Sequence, residues 1–271
     1  MNQLPISVCI ISGAEARRIG RALESVAGWT AEIIVVLNED ARDGTEEIAL
    51  KYGARVFREP WKGFVGQKNS ASDKAAQPWL LNLDADEIVS PGLAAEISEA
   101  VSTRPAPHNV YEFPRCTLYC GRWIRHGDWY PDRIRRLWRK GATRWVGAEP
   151  HAALEIRGTV GRLRADLLHY TNETINHQIA KSAKYSDSFV QHCAEQKRGV
   201  SFFDLFVRPG WRFARAYVFR LGFLDGWQGY YIAWTTAFYT ATRYAKVREA
   251  QLAVADHAAP PGDKNKYANR A

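Results

Sequence analysis

Trp79-Leu80-Leu81-Asn82-Leu83-Asp84-Ala85-Asp86-Glu87 is the run of residues that sets the class of fold. It begins with almost only apolar residues, which predict a short buried β-strand. Its last residues are mostly acidic, and Ser90-Pro91-Gly92 then predicts the start of a helix. Serine is a preferred N-cap residue, and proline fits the first helical position. The sequence thus predicts a strand, an acidic loop and a helix in direct succession.

The chain before this run shows the same alternation. Residues 6–11 and 32–37 are β-branched apolar runs that predict buried strands, and residues 54–57 predict a further strand. Apolar residues over 15–27 recur at helical spacing, and residues 46–52 predict a second helix. Strands and helices that alternate in this way predict an α/β fold with a mostly parallel, doubly wound sheet and helices on both faces.

Changes in composition predict three segments. Residues 1–172 are predicted to form the sheet-bearing domain, in which 1–102 carries the alternation and 103–172 has short strand-like runs rich in Arg, Trp and Gly. Residues 173–250 show helical spacing and are predicted to form a C-terminal helical segment. Residues 251–271 lose their apolar side chains and are predicted to be a disordered tail.

The composition excludes several classes of protein. The chain has 271 residues, 46% hydrophobic and 24% charged, which is typical of a globular protein. Its four cysteines are too few for a disulfide scaffold and lack the spacing of a zinc site. The first residues have no secretory pattern, so a cytoplasmic location is expected. No uncharged apolar run reaches the length of about 18 residues that predicts a membrane-spanning helix.

The net charge is positive. Lys and Arg number 37 against 29 Asp and Glu, a formal charge of +8. Such a protein fits three kinds of partner, namely nucleic acid, an anionic membrane surface and a phosphorylated substrate. The charge alone does not choose among them.

Asp84 and Asp86 are the residues best suited to chemistry. Alternate side chains of an extended chain share a face, so the two carboxylates are expected to point the same way. Carboxylates at the carboxyl end of a parallel strand suit a hard divalent cation, which can neutralise a departing diphosphate. The alternative is that these acids only favour the N-terminus of the next helix through its dipole.

Four groups of motifs together carry a family resemblance. They are Ser7-Val8-Cys9-Ile10-Ile11 with Glu15; Glu32-Ile33-Ile34-Val35-Val36 with Asp43-Gly44-Thr45; Gln67-Lys68-Asn69 with Leu83-Asp84-Ala85-Asp86-Glu87; and Gly121-Arg122-Trp123, Trp129-Tyr130-Pro131-Asp132, Arg136-Leu137-Trp138 and His169-Tyr170. With them the chain resembles glycosyltransferase family 2, of the GT-A fold, and more narrowly the subgroup that includes lipopolysaccharide core glycosyltransferases.

The resemblance implies an inverting, metal-dependent glycosyltransferase, a hexosyltransferase. It would move a sugar from a nucleotide-sugar donor to a glycolipid, oligosaccharide or polysaccharide acceptor. A UDP-sugar is the expected donor. The product would belong to the lipopolysaccharide core or to another cell-surface glycan. Residues 1–102 would be the donor half of a catalytic domain that spans residues 1–172, and residues 103–172 its acceptor half.

The metal ligands implied by the resemblance begin with Asp86, which would bind Mg²⁺ or Mn²⁺. Asp84 would contact the donor ribose or assist the metal. His151 would be a late ligand to the metal or the diphosphate, and its alternative role is that of a hydrogen-bonded structural histidine.

The implied donor-binding residues include Glu15 and Asn38 at the nucleoside, with Lys68 and Asn69 helping to hold the donor. Two positions depart from the family pattern. Ala14 precedes Glu15 where the family usually has asparagine, and Asn38 replaces the family's base-binding acid. An amide still hydrogen-bonds a uracil edge, but its preference for a base can differ.

An inverting transfer needs a general base that takes the proton of the acceptor hydroxyl. Asp132 is the first candidate, and Arg135 and Arg136 are expected to keep it ionised. The alternative is that Asp132 only forms a salt bridge with those arginines. Glu149 is the rival candidate.

Residues 202–244 combine many aromatic side chains with interspersed arginines. This pattern favours a helical pair that lies in a membrane interface, with its rings at headgroup depth. The expected location is therefore peripheral, on the anionic inner face of the cytoplasmic membrane. The alternative is an aromatic-rich core helix that packs on the sheet.

Other functional classes fit less well. A nucleic-acid partner is not expected, because the acidic residues 84–87 would repel a phosphate backbone. A nucleotidyltransferase would favour a glycine-rich basic loop after the first strand, whereas residues 12–18 contain one glycine and an acid. A non-catalytic module that binds sugar nucleotides or a membrane surface on the same fold stays open as the alternative function.

Overall fold

The computed structural model describes residues 3–103, 105–147, 152–171 and 174–258. The chain divides into two compact units. We call them the sheet unit, residues 1–118 and 130–171, and the helical unit, residues 119–129 and 172–271. Residues 119–129, which the sequence-based division assigned to the sheet-bearing domain, thus belong with the helices.

The sheet unit combines a parallel half with a half in which parallel and antiparallel pairs are mixed. The strands of the described residues are β1 (Leu4–Ser12), β2 (Thr30–Asn38), β3 (Arg55–Glu59), β4 (Trp79–Asp84), β5 (Glu87–Val89), β6 (Val110–Tyr119), β7 (Arg122–Ile124), β8 (Asp132–Arg139), β9 (Thr143–Val146), β10 (Ala153–Ile156), β11 (Val160–Arg162) and β12 (Leu167–His169). The main sheet has the order β3-β2-β1-β4-β8-β6-β12-β5. Strands β3, β2, β1 and β4 are parallel, whereas β8 runs antiparallel to β4 and β6. The predicted α/β class is confirmed, and its sheet is mixed beyond β4.

The register of the parallel strands brings their carboxyl ends to one edge. Ile10 of β1 lies opposite Val35 of β2 and Leu83 of β4. The residues that end these strands, or follow them directly, therefore meet at the same edge of the sheet. In open α/β sheets this is the edge where ligands bind.

Helices cover both faces of the sheet. They are α1 (Ile19–Ala27), α2 (Thr45–Lys51), α3 (Gly63–Asp73) and α4 (Pro91–Ser102). Val8 belongs to one apolar cluster with Leu23 of α1 and Ile97 of α4, while its neighbour Cys9 belongs to a second cluster with Ala71 of α3. Alternate residues of β1 thus face opposite layers. Each fully buried aliphatic side chain contributes about 1.5–3 kcal/mol, which explains the continuous apolar runs of these strands.

The helix after the acidic loop begins as predicted. The Leu93 backbone amide donates a hydrogen bond to Ser90 Oγ at 3.2 Å, and Pro91 occupies the first turn. A serine N-cap of this kind contributes about 1 kcal/mol.

The helical unit contains α5 (Ile175–Glu195), α6 (Arg208–Ala214) and α7 (Gly226–Ala258). Two π-helical turns, Phe203–Val207 and Arg215–Phe219, flank α6. Helix α7 continues past residue 250, where the tail was predicted to begin, and residues 259–271 lie outside the described part. In the described residues, no helix has both the length and the apolar character needed to cross a membrane.

The aromatic side chains of the helical unit divide into a buried set and an exposed set. Tyr244 is buried and packs edge to face on Phe189, with ring centroids 5.3 Å apart. Many others are exposed, and these include Phe202, Phe203, Phe206, Trp211, Phe219, Trp227, Trp234 and Phe238. Part of the segment is therefore core, and another part is an aromatic surface.

Candidate functional site

A cleft of about 560 Å³ lies at the carboxyl ends of β1, β2 and β4. Its lining consists of Ile11, Ser12, Gly13, Glu15, Asn38, Asp40, Trp61, Phe64, Lys68, Asp84, Ala85 and Asp86. Five of the residues singled out in the sequence are among them. The parallel strands bring these residues together from distant parts of the chain.

The loop that carries Glu15 is held by the turn Asp43-Gly44-Thr45. The Glu15 amide donates to Thr45 Oγ1 and the Ala16 amide to Asp43 Oδ2, both at 2.9 Å. Gly44 has a φ of +91°, a conformation that glycine adopts without strain. These bonds fix the loop, and α1 begins only at Ile19. Burial and nearby acidic groups raise the pKa of Glu15, although Arg18 at 3.6 Å opposes the shift.

Both polar and aromatic groups line the cleft. Asn38, which ends β2, accepts a hydrogen bond from Gln67 Nε2 at 3.4 Å, and Asp40 lies beside it in the lining. Trp61 and Phe64 are half-exposed and pack edge to face, with centroids 4.9 Å apart. A planar ring could stack on such a pair while it hydrogen-bonds the amide.

Both carboxylate oxygens of Asp84 are occupied by cations. Lys68 Nζ lies 3.0 Å from Oδ1, and Arg136 Nη2 bonds Oδ2. Burial alone would raise the pKa of Asp84, but the two cations outweigh it and hold the pKa well below its ordinary value. Burial and the charge of Arg136 lower the pKa of Lys68 in turn. Asp84 is therefore a fixed anion.

Glu87, the last acid of the run, points into the protein. It is fully buried, and its Oε1 lies 3.1 Å from Arg136 Nη2 and 3.3 Å from Arg115 Nη1. Its Oε2 accepts a hydrogen bond from the Asp84 amide at 3.0 Å. Burial lowers the pKa of Arg136, but Asp84 and Glu87 outweigh it and raise that pKa overall. The two arginines are site residues that sequence reasoning did not assign to these acids, because their partners depend on strand pairing.

Asp132 binds the other side of Arg115, away from Glu87 and the cleft. Arg115 Nη2 and Nε donate to its Oδ2 at 2.7 and 3.0 Å, and its side chain is 42% exposed. The expected pairing with Arg135 and Arg136 is wrong. Arg115 lies directly opposite Asp132 in the β6–β8 register, whereas Arg135 faces Glu112 at 3.6 Å. Arg136 is four residues further along the strand, about 13 Å away.

A chain of alternating charges thus runs from the cleft to the candidate base. In order it consists of Lys68, Asp84, Arg136, Glu87, Arg115 and Asp132. We call it the ion-pair chain. Each charge along it has an opposite charge beside it, so the buried members are balanced.

Replacing Arg136 with methionine is expected to lower the free energy of unfolding by about 3–5 kcal/mol, because it leaves Asp84 and buried Glu87 without their shared cation. Arg135→Met is the matched control, because Arg135 is the exposed neighbour of Arg136 and its ion pair with Glu112 is long, at 3.6 Å. That change is expected to cost at most about 1 kcal/mol. Denaturant unfolding measures both variants, and equal losses would contradict the central place given to Arg136.

Asp86 lines the cleft together with Asp84, but its carboxylate has only longer ion-pair contacts. Its Oδ2 lies 3.4 Å from His169 Nε2 and 3.9 Å from Arg18 Nη1. The Tyr170 amide donates to the Asp86 carbonyl at 2.8 Å, and β12 pairs with β5 so that His169 lies opposite Glu87. His169 belonged to a recognised motif but received no role from the sequence, because its proximity to Asp86 depends on that pairing.

The site is compatible with a divalent cation that the substrate helps to hold. In the part of the chain that the structure describes, no three His, Cys, Asp or Glu side chains are placed to hold one metal ion. Asp86 and His169 form a carboxylate–imidazole pair, and Asp84 is committed to its two cations. Mg²⁺ typically takes only one or two protein carboxylates together with phosphate oxygens and water.

Two predicted site residues within the described part of the chain, Asn69 and Asp132, are not among the cleft lining. The Asn69 side chain bonds the backbone of Trp145 in both directions, at 2.9 and 3.1 Å, and so ties α3 to β9. Glu149 and His151 lie outside the described residues. Their predicted roles stay predictions.

Sequence comparisons bear directly on this arrangement. A model of the family Glycosyl transferase family 2 matches residues 7–163. An uncharacterised glycosyltransferase of Rickettsia prowazekii is 30% identical over 263 residues, which cover 91% of this chain and 88% of the relative. The lipopolysaccharide core biosynthesis glycosyltransferase LpsC of Rhizobium meliloti is 31% identical over 260 residues, 90% of this chain and 92% of the relative.

Solved structures are related more distantly. The S. aureus protein TarS, residues 1–349 in complex with UDP-GlcNAc, is 14% identical, has a TM-score of 0.48 and covers 92% of each chain. Glucosyl-3-phosphoglycerate synthase from Mycobacterium tuberculosis, in complex with Mn²⁺, UDP and glucosyl-3-phosphoglycerate, is 17% identical with a TM-score of 0.34 over 42% of this chain.

Proposed function

This chain belongs to glycosyl transferase family 2, and we propose that it is an inverting, metal-dependent hexosyltransferase that uses a UDP-sugar. The observation that carries the proposal is the convergence of Glu15, Asn38, Lys68, Asp84 and Asp86 on one cleft at the carboxyl ends of the parallel strands. The acceptor is a glycolipid or an oligosaccharide of the lipopolysaccharide core or another surface glycan. The likeness to LpsC over nearly the whole chain supports that choice.

The donor occupies the cleft with its nucleoside towards Asn38 and Asp40. Trp61 and Phe64 offer aromatic faces to the base, and the Asn38 amide supplies both a donor and an acceptor for its edge. Lys68, held by Asp84, places a positive charge near the diphosphate.

Asp86 and His169 would hold the Mg²⁺ or Mn²⁺ ion, with donor oxygens completing its coordination. The cation supplies charge neutralisation for the departing UDP. Asp84 acts indirectly, because its ion pairs with Lys68 and Arg136 keep the loop that carries Asp86 in place. His151 stays a candidate for a further ligand to the metal or the diphosphate, and it lies outside the described residues.

Asp132 is the proposed general base. Its carboxylate is partly exposed and is held by the Arg115 fork, so it can accept a proton from an acceptor hydroxyl while its orientation stays fixed. Glu149 is the other candidate for this role.

The enzyme acts as a peripheral protein at the anionic inner face of the cytoplasmic membrane, where a glycolipid acceptor is presented. The exposed aromatic side chains of the helical unit, with arginines among them, support this location.

Donor choice is tested by thermal shift with UDP-, GDP- and ADP-sugars, each with and without Mn²⁺. A ligand at about 100 times its Kd adds about 2.7 kcal/mol to the folded state, so the UDP-sugar is expected to raise the Tm most and to do so only with metal. A UDP-release assay on the same samples then tests for an enzyme. Binding without any release of UDP, in the presence of acceptor glycolipid, would favour the non-catalytic module instead.

A further inference from the structure

Three arginines of the helical unit converge on a single buried carboxylate. Asp128 is more than nine-tenths buried, and Arg215 Nη1, Arg212 Nη2 and Arg220 Nη1 lie 2.7, 3.2 and 3.3 Å from its oxygens. One carboxylate balances one guanidinium, so the cluster keeps two positive charges in excess. The guanidinium groups themselves are partly exposed, and their remaining N–H groups can meet a second anion.

The backbone around this arginine cluster is unusual and explains how it forms. The Arg220 amide donates to the Arg215 carbonyl at 2.8 Å, five residues back, as in a π-helical turn. Such a turn brings residues five apart to one side, so both arginines reach Asp128. Leu221 follows with a φ of +57°, an uncommon conformation for a residue with a branched side chain. Single π turns of this kind occur frequently at functional sites.

The turn that carries Asp128 is fixed to the same segment at two points. The Gly127 amide donates to the Arg220 carbonyl at 2.9 Å. Asp225 is buried and accepts the amides of Arg125 and His126 at 3.0 and 2.8 Å. The position of Asp128 relative to the arginines is therefore built into the fold rather than left to flexible side chains.

Exposed aromatic side chains adjoin the cluster in the chain. Trp211 precedes Arg212 and is 55% exposed, and Phe219 precedes Arg220 and is 68% exposed. Their ring centroids are 5.5 Å apart. Exposed rings beside guanidinium groups are typical of protein segments that lie at the level of lipid headgroups.

We propose that Arg212, Arg215 and Arg220, organised by Asp128, form a binding site for the phosphate group of an anionic membrane lipid. Guanidinium forks match the geometry of phosphate oxygens. The excess charge would attract a lipid phosphate, while Trp211 and Phe219 would enter the interface beside it. A soluble phosphate would give these exposed rings no apolar contact, whereas a lipid would. A lipid is therefore the favoured source of the phosphate group. The proposal rests on the membrane attachment proposed above and assigns residues to it.

Vesicle flotation tests the site with the full chain. The vesicles are phosphatidylcholine alone or mixed in equal parts with phosphatidylglycerol. Wild type is expected to float with the anionic vesicles, and Arg212→Gln/Arg215→Gln/Arg220→Gln is expected to bind them at least about thirtyfold more weakly. The matched control is Arg144→Gln/Arg157→Gln/Arg162→Gln, which removes the same charge from more exposed arginines of the sheet unit and is expected to change binding by less than about fivefold.

The outcomes separate this proposal from the one on which it rests. Wild type that floats with neither vesicle would contradict membrane attachment itself. Equal losses in the two triple variants, or none in the cluster variant, would overturn only the site. Saturable binding of inorganic phosphate in calorimetry, lost in the cluster variant while flotation is unchanged, would identify a soluble phosphate as the ligand and overturn the lipid. Circular dichroism and UDP affinity verify that each variant is folded. If the cluster variant does not fold, the single change Arg220→Gln is used instead, and it is expected to weaken binding to the anionic vesicles about threefold to fivefold.

Discussion

Asp86→Asn is expected to lower metal-dependent turnover by about a thousandfold, which corresponds to about 4 kcal/mol of lost transition-state stabilisation. The change removes the carboxylate beside His169 and so the main protein ligand proposed for the cation. Initial rates of UDP release, measured over a range of Mn²⁺ and Mg²⁺ concentrations, report the effect. His169→Gln is expected to raise the metal concentration for half-maximal rate about tenfold or more.

The control for Asp86 is Asp73→Asn, an exposed acid of α3 that makes the same change in charge away from the cleft lining. It is expected to leave turnover and metal dependence unchanged. Full metal-dependent activity in Asp86→Asn would show that the cation is held elsewhere, and the place to look first would be the residues around His151.

Asp132→Asn is expected to lower kcat for sugar transfer by about a hundredfold to ten-thousandfold, the usual contribution of a general base. The amide keeps the size of the side chain and a bond from Arg115, but it cannot take the acceptor proton. The Kd for the UDP-sugar is expected to stay close to that of wild type, because Asp132 does not line the donor cleft. Single-turnover transfer and donor titration measure the two quantities separately.

Glu149→Gln provides the comparison that decides between the two candidate bases. Normal transfer in Asp132→Asn together with an inactive Glu149→Gln would move the assignment to Glu149. A loss of donor affinity in Asp132→Asn equal to its loss of rate would instead indicate a structural role for the salt bridge with Arg115.

Local sequence was sufficient to predict those site residues whose positions depend on one strand end or one turn alone. Asp84 and Asp86 follow a buried strand, and Asp43-Gly44-Thr45 is a turn whose residue types specify its geometry, so both could be recognised without the fold. The parallel order of β1, β2 and β4 then brought Glu15 and Asn38 to the same edge.

The partners of these residues could not be predicted, because they depend on pairing between strands that are distant in sequence. Arg115 reaches Asp132 through the β6–β8 register, and His169 reaches Asp86 through β12 and β5. Proximity in the sequence pointed instead to Arg135 and Arg136. Arg135 is three residues from Asp132 and so lies on the opposite face of the strand, and Arg136 is four residues away, too far along the strand to reach Asp132. Asn69 illustrates the same limit, since its bonds to Trp145 depend on where β9 lies.

The ion-pair chain has a consequence for efforts to redesign this enzyme. Its six members carry three positive and three negative charges, and they come both from residues 1–102 and from residues 103–172. If residues 1–102 were exchanged for those of a relative, the new charges at positions 68, 84 and 87 would meet arginines that had not been exchanged. Chimeras are therefore expected to fold only when all six residues are transplanted as one set, and related sequences are expected to vary at these positions together or not at all.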